Sequence, residues 1–158
     1  MNAAYLHLIL NHFPIVGTFF ILLVLLIGIW FKNGALQKTA LALFVLVALI
    51  SVPVYLSGKG AEDIVEKFPG VNEEAIAVHE RSAVITLLAI EVLGVICLLG
   101  FAFFGRREKL PARFLVAVVG WTLVAAALTA QTSSLGGKIR HPEETGGSLS
   151  AGSKVIGE

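Results

Sequence analysis

The sequence predicts an all-α, integral membrane four-helix bundle, and three observations lead to that prediction. Of the 158 residues, 56% are hydrophobic and only 15% are charged, whereas soluble domains average about 45–50% apolar and about 25% charged residues. The apolar residues are concentrated in a few long runs. The connections between these runs are short enough for consecutive helices to be antiparallel neighbours with up-down topology.

Four segments have the composition of transmembrane helices, because about 20 apolar residues are needed to cross about 30 Å of hydrocarbon. Backbone groups in lipid must be paired within their own segment, so each run is predicted to be helical. The expected helices are about 5–31, 39–57, 73–104 and 114–135. They form one domain, residues 1–137, followed by a polar, Gly- and Ser-rich external tail, residues 138–158.

Helix start and stop residues agree with this division. Asn72 is expected to cap a helix that begins at Glu73, and Pro14 favours a kink in the first helix. The segments Leu56–Lys59 and Leu135–Lys138 both place glycine before a lysine, which predicts helix C-termini there. The similarity of these two segments also suggests an internal repeat of helix pairs.

The distribution of basic residues predicts the orientation, because short loops rich in Lys and Arg stay in the cytoplasm. The first and third connections are basic and the second is acidic. Both termini are therefore expected on the outer, periplasmic side of a bacterial inner membrane. The N-terminal run lacks a basic n-region and a small-residue cleavage site, so it is interpreted as a retained span.

Several functional classes do not fit the sequence. A net charge of +1 argues against nucleic acid as a partner. Because Cys97 is the only cysteine, the chain has no intramolecular disulfide, no Cys-x-x-Cys motif and no covalent c-type haem attachment. There is no recognisable nucleophile with a base, phosphate loop or zinc-hydrolase motif. An electron-transfer protein is favoured over a stand-alone enzyme.

All four histidines are expected on the outer side of the membrane: His7, His12, His79 and His141. At about 1.5 Å rise per residue, His7 and His79 both lie about 36 Å above the inner helix ends. Imidazoles that converge from different helices suit b-type haem, whose iron accepts one nitrogen on each side of the porphyrin. The prediction is one or two haem b groups, with zinc as the competing chemistry.

Within this set, His12 and His79 are the first choice for a ligand pair. His7 and His141 are expected to complete that site or to form a second one. Taken singly, each histidine is also explained as a hydrogen-bonded interfacial residue. Four cations at the same rim are candidate partners for haem propionates: Lys59, Arg81, Lys138 and Arg140.

Glu91 is the only charged residue inside the four most apolar windows, which are residues 13–31, 39–57, 83–104 and 114–135. It follows Glu80 by eleven residues, which returns it to the same helix face within about 20°. The two carboxyl groups are therefore candidates for a proton path from the outer surface. The alternative is a neutral acid that hydrogen-bonds a neighbouring helix.

The order of the short motifs resembles a bacterial family of small four-helix membrane proteins, known only as a predicted membrane domain of unknown function. The motifs are His7-x4-His12-Phe13-Pro14 in the first helix, His79 at the head of the third, and Gly136-Gly137-x-Ile139-x-His141 after the fourth. Leu8 stands where that family often has proline. The resemblance implies a four-span bundle in the bacterial inner membrane whose histidines bind haem.

The leading hypothesis is an integral membrane b-type cytochrome. It would transfer electrons between a quinol or a membrane partner, including a larger complex in the lipid bilayer, and an external carrier. The alternative is a cofactor-free accessory subunit that docks a partner protein through its outer acidic loop and histidines. A transporter is disfavoured because few polar residues lie in the inner half of the bundle.

Overall fold

A computed structural model describes residues 3–65 and 72–140, and every regular element in these ranges is an α-helix. The elements are α1 (Ala3–Leu10), α2 (His12–Trp30), α3 (Gly34–Val65), α4 (Glu73–Phe104) and α5 (Ala112–Arg140). The first two follow each other across Asn11 and together make the first span. The predicted all-α four-helix bundle is confirmed.

Four helical stretches are long and apolar enough to cross a membrane. They are His7–Trp30, Gly34–Ile64, Glu73–Phe104 and Ala112–Ile139. Large apolar side chains such as Phe20, Leu88 and Val116 are more than half exposed on the outside of the bundle, where a bilayer makes their exposure favourable. The chain is a multi-pass membrane protein.

The four long helices form a closed ring. In the described parts of the chain α2 packs on α3, α3 on α4, α4 on α5, and α5 back on α2, while α1 lies mainly against α3. The short connections make neighbouring helices antiparallel, as expected. One end of the ring carries His7, His12 and His79 and is called the histidine end below; the other carries the two basic connections and is called the basic end.

The middle of the bundle is a dry core. Its largest fully buried side chains include Leu25, Phe44 and Leu93. Most buried hydroxyls in the described residues are satisfied within their own helix; Thr122 Oγ1, for example, donates to Val118 O at 2.7 Å, whereas Thr86 Oγ1 donates to Leu128 O of α5 at 3.2 Å. Hydroxyls that bond the preceding turn need no partner on another helix. Contacts between helices in the middle of the bundle are therefore mainly apolar, with the hydrogen bond from Trp121 Nε1 to Ala89 O at 2.8 Å as an exception.

At the basic end, the side-chain amide of Gln37 forms hydrogen bonds to the backbone of two other segments. Gln37 is buried, its Nε2 donates to Gly28 O at 3.1 Å, and its Oε1 accepts from Leu110 N at 3.2 Å. Gly34 lies so close to the Glu108 carbonyl that a Cβ there would overlap it. These contacts close this end of the bundle.

Helix boundaries differ from the predicted ones in several places, including the start of α3 at Gly34 instead of residue 39. The first span is interrupted at Asn11, one turn before the Pro14 ring, which removes a backbone N–H. The predicted ends after Ser57 and Leu135 are wrong, because α3 continues to Val65 and α5 to Arg140. The first three residues of the predicted external tail, residues 138–140, are accordingly helical.

The start of α4 is as predicted. Asn72 has an extended backbone conformation and its Oδ1 accepts from Ala75 N at 3.2 Å. Glu73 and Glu74 occupy the first turn, where negative charge is favourable. The cap fixes where α4 begins, and His79 follows Glu73 by six residues, at the histidine end.

Candidate functional site

A cavity of about 510 Å³ opens in the bundle at the histidine end. All five helices contribute to its walls, and most of the lining is apolar. The cavity extends into the bundle as far as Ile90, which follows His79 by eleven residues on α4. All three described histidines line this cavity, together with Asn11 and Lys59.

His79 is held by α5, the neighbour of its own helix. Its Nδ1 lies 3.1 Å from Thr132 O, and a Cβ built on Gly136 would come within 3.1 Å of its Cε1. Because a carbonyl oxygen only accepts hydrogen bonds, Nδ1 carries the proton and Nε2 has a free lone pair. The ring thus rests on a glycine, and its Nε2 has no hydrogen-bond partner among the described residues.

Two further hydroxyls surround Thr132, the residue whose carbonyl holds the ring. Thr132 Oγ1 lies 2.6 Å from Ser82 Oγ and 2.8 Å from Thr86 Oγ1. These hydrogen bonds join α4 to α5 directly below His79. We call His79, Thr132 and Gly136 the His79 half-site.

His7 is held by α3 in the same manner. Its Nδ1 lies 3.0 Å from Val54 O, and a Cβ built on Gly58 would come within 3.0 Å of its Cε1. Ser57 Oγ lies 3.2 Å from the same ring nitrogen and donates to Val54 O at 2.7 Å. We call His7, Val54, Ser57 and Gly58 the His7 half-site.

The two half-sites repeat one arrangement in two helix pairs. In each, the carbonyl that accepts from Nδ1 belongs to the residue four positions before the glycine under the ring. Both rings line the same cavity. A histidine that gives Nδ1–H to a carbonyl and keeps Nε2 free is the arrangement of most metal-ligating imidazoles.

His12 occupies a different setting. It is exposed, and its Nδ1 lies 2.8 Å from Leu8 O in the preceding turn of the same span. Its Nε2 is also free, but no glycine of a facing helix lies against it in the described residues. The sequence-based pairing of His12 with His79 remains a prediction, while the matched arrangement joins His7 with His79. His141 lies outside the described residues.

The four predicted propionate partners are placed differently. Lys59 lines the cavity, where its Nζ is 3.6 Å from Glu80 Oε1 and 5.5 Å from the centre of the Tyr55 ring. Arg81 and Lys138 are exposed and do not line the cavity. Arg140 ends α5, but its side chain is outside the described set.

The two carboxyl groups of the predicted proton path do not share one environment. Glu80 lines the cavity and pairs with Lys59, whereas Glu91 is not part of the cavity wall. The Glu91 Oε1 atom is buried and has no hydrogen-bond partner among the described residues. The proton path therefore remains a prediction.

Sequence reasoning missed the role of Gly58 and Gly136, which it interpreted as helix ends. The helices continue through both, and the missing side chains leave room for the two imidazoles. The nearest indication was the similarity of Leu56–Lys59 to Leu135–Lys138, but that alignment places Gly137, not Gly136, opposite Gly58. A glycine next to lysine is typical of a helix C-terminus, so the pattern alone does not identify a contact with another helix.

The fold and the cavity define the class: a four-helix, multi-pass membrane protein with an apolar cavity and inward-facing histidines at one end. In the residues that the structure describes, no group of three or more His, Cys, Asp and Glu side chains is placed to hold a metal ion. Comparisons with protein-family models, with curated proteins and with solved structures found no match.

Proposed function

We propose that the protein is an integral membrane b-type cytochrome that holds one haem between His7 and His79. The observation that carries this proposal is the repeated arrangement of an imidazole on a glycine, with Nδ1–H given to a carbonyl and Nε2 left free. Two such nitrogens, one from each half of the bundle, are what a six-coordinate haem iron requires.

The donor set fits haem better than a zinc ion. A structural zinc takes four ligands and a catalytic zinc takes three from the protein, whereas the matched arrangement supplies two imidazoles. The remaining walls of the cavity are largely apolar, including Ile76, Leu87 and Ile90. Apolar walls exclude water from a flat macrocycle and help to set its reduction potential.

Lys59 is the best placed of the cations to bind a propionate, because it lines the cavity and is half exposed. Its present partner is Glu80, at a distance of 3.6 Å. An exposed pair of this kind contributes little to stability, because water screens the two charges. A propionate can therefore replace Glu80 as the partner of Lys59 at little cost.

When bound, haem supplies one-electron chemistry. The chain's own residues hold the rings through Val54 O and Thr132 O, and they exclude water below them. We propose that electrons pass between a quinol or a membrane partner and an external carrier. The basic end would face the cytoplasm of a bacterial cell, because the basic connections, which include Lys32, Arg106 and Arg107, favour that side.

Absorption spectroscopy of the protein purified from haem-replete cells tests the proposal. We expect a Soret band that shifts on dithionite reduction, sharp α and β bands, and one haem per chain. His7→Ala and His79→Ala should each abolish the low-spin spectrum, while His12→Ala is the matched control and should keep it. Colourless wild-type protein, or unchanged spectra in both variants, would overturn the assignment.

A further inference from the structure

The junction between α1 and α2 contains two hydrogen-bond acceptors that the haem assignment does not use. We define the junction as Asn11 and His12. Asn11 Oδ1 is buried without a partner among the described residues. His12 gives its Nδ1 proton to Leu8 O at 2.8 Å, so its Nε2 can only accept. Both residues line the cavity.

Backbone geometry explains why these acceptors lie at this point. Asn11 N donates to His7 O at 2.9 Å, and the helix is interrupted before His12. The Pro14 ring prevents a regular helix from being completed through this turn. Asn11 lies at this interruption and lines the cavity that His7 also lines.

The acceptors select the chemistry of a ligand. A buried amide oxygen without a donor is unfavourable, so a ligand that brings hydroxyl donors binds better than one that brings only acceptors. Leu8 and Ile15 flank the junction within the cavity, and Phe13 is half exposed on the outer surface of the bundle. The matching ligand has hydroxyl donors on an apolar body and is soluble in the bilayer.

We infer that the junction binds a hydroquinone. One of its hydroxyls would donate to Asn11 Oδ1 and the other to His12 Nε2. This inference rests on the proposed function and deepens it, because it assigns the electron donor to the hydroquinone class and places it beside His7. The oxidised quinone and a dialkyl ether of the hydroquinone carry no hydroxyl donor. Both should bind weakly.

The test compares three probes of nearly equal shape: tetramethylhydroquinone, its dimethyl ether and tetramethylquinone. The full-length protein in lipid nanodiscs is held under dithionite for the first two probes, and in its air-oxidised form for the quinone. Binding is measured by anaerobic equilibrium dialysis, with empty nanodiscs as the blank. We expect the hydroquinone to bind about tenfold more tightly than the ether or the quinone.

Single-residue variants test which side chains cause the preference for the hydroquinone. Asn11→Leu keeps a similar volume without the acceptor and should reduce the preference to within about twofold, and His12→Leu should reduce it in the same direction. Phe13→Leu is the matched control, because Phe13 does not line the cavity, and should leave the preference unchanged. Retention of the low-spin haem spectrum shows that each variant is folded.

The outcomes separate the two proposals. Equal affinities for the hydroquinone and its ether in haem-loaded wild type would overturn the hydroquinone site and leave the cytochrome standing. An unchanged preference in both Asn11→Leu and His12→Leu would do the same. Protein without haem that still shows a preference dependent on Asn11 would overturn the cytochrome and support the site.

Discussion

The His7 and His79 half-sites share one design but differ in how firmly the rest of the protein supports them. His79 lies on α4, a helix of 32 residues that packs on both α3 and α5. His7 lies on α1, a helix of eight residues that the interruption at Asn11 separates from α2. The same contact between an imidazole ring and a glycine therefore depends on the long, well-packed α4 at His79 and on the short α1 at His7.

The hydrogen bonds around the two carbonyls differ in a related way. Thr132 bonds two hydroxyls of α4, so the His79 half-site is fastened by contacts beyond the ring itself. At the His7 half-site the additional hydroxyl belongs to Ser57, on the same helix as Val54. Firm placement of a ligand by its neighbours reduces the cost of ordering it on binding. If haem binds as proposed, this comparison favours His79 as the anchoring ligand.

The largest expected effect is the loss of either histidine. His79→Ala should lower haem affinity by more than about 100-fold. Removing a residue that only hydrogen-bonds a ligand lowers affinity by about 10–100-fold, and here the ligand itself is lost. His7→Ala should also abolish the six-coordinate spectrum but retain more haem per chain, because the anchoring ligand remains. Haem content by pyridine haemochrome and reduced-minus-oxidised spectra measure both. Greater haem loss in His7→Ala than in His79→Ala would reverse the comparison.

The second effect concerns the glycine beneath a ring. Gly136→Ala places a Cβ within 3.1 Å of His79 Cε1, so the ring must shift and haem affinity should fall about tenfold. The matched control is Gly137→Ala, because a Cβ there meets nothing within 4 Å. It should leave haem binding unchanged and stabilise the helix by up to about 1 kcal/mol.

Haem titration of the apoprotein and thermal unfolding check this pair. Gly58→Ala is expected to behave as Gly136→Ala does, because its Cβ would lie 3.0 Å from His7 Cε1. Equal haem affinities for the variants at positions 136 and 137 would show that the contact between glycine and imidazole does not position the ligand.

A smaller effect is expected at Ser57. Ser57→Ala removes the hydroxyl beside His7 Nδ1 while the Val54 carbonyl remains as its acceptor. One neutral hydrogen bond contributes about 1 kcal/mol, so haem affinity should fall by only about fivefold. The haem midpoint potential should shift with it, because the basicity of the ligand changes. Ser133→Ala, on the cavity wall but bonded within its own helix, is the control and should leave both quantities unchanged.

The smallest effect on haem is expected from the basic end. Gln37→Leu leaves Gly28 O and Leu110 N without their side-chain partners, which should cost about 1–3 kcal/mol of stability. Thermal unfolding in detergent should show the loss, whereas the reduced haem spectrum should match wild type. A change in that spectrum would mean that the two ends of the bundle are coupled.

Much of the fold is predictable from the sequence because the bilayer restricts the alternatives. Four apolar runs in lipid must be helices, and short connections make them antiparallel neighbours. The cap at Asn72 is also local, since its side chain bonds the backbone three residues ahead. The candidate site is only partly predictable. The histidines are visible in the sequence, but the choice among them is not.

Two elements show why the rest required the structure. Gly58 and Gly136 have the local pattern of helix ends, but the helices continue through both, and each glycine faces an imidazole on another helix. His12, the preferred ligand by depth and neighbours, gives its ring proton to Leu8 O in the preceding turn of its own span, and its pairing with His79 remains a prediction. For the two glycines, the deciding contact lies on another helix, outside the sequence window that predicted otherwise.

The sequence by itself determined the membrane environment, the number of spans and the concentration of histidines toward one end. These properties depend on composition and on interactions within a single helix, which a linear pattern records. Only the tertiary structure decided that His7 lies on Gly58 and His79 on Gly136, with matched carbonyls four residues earlier. Those contacts join residues about 50 positions apart, and their geometry depends on how the helices pack against one another.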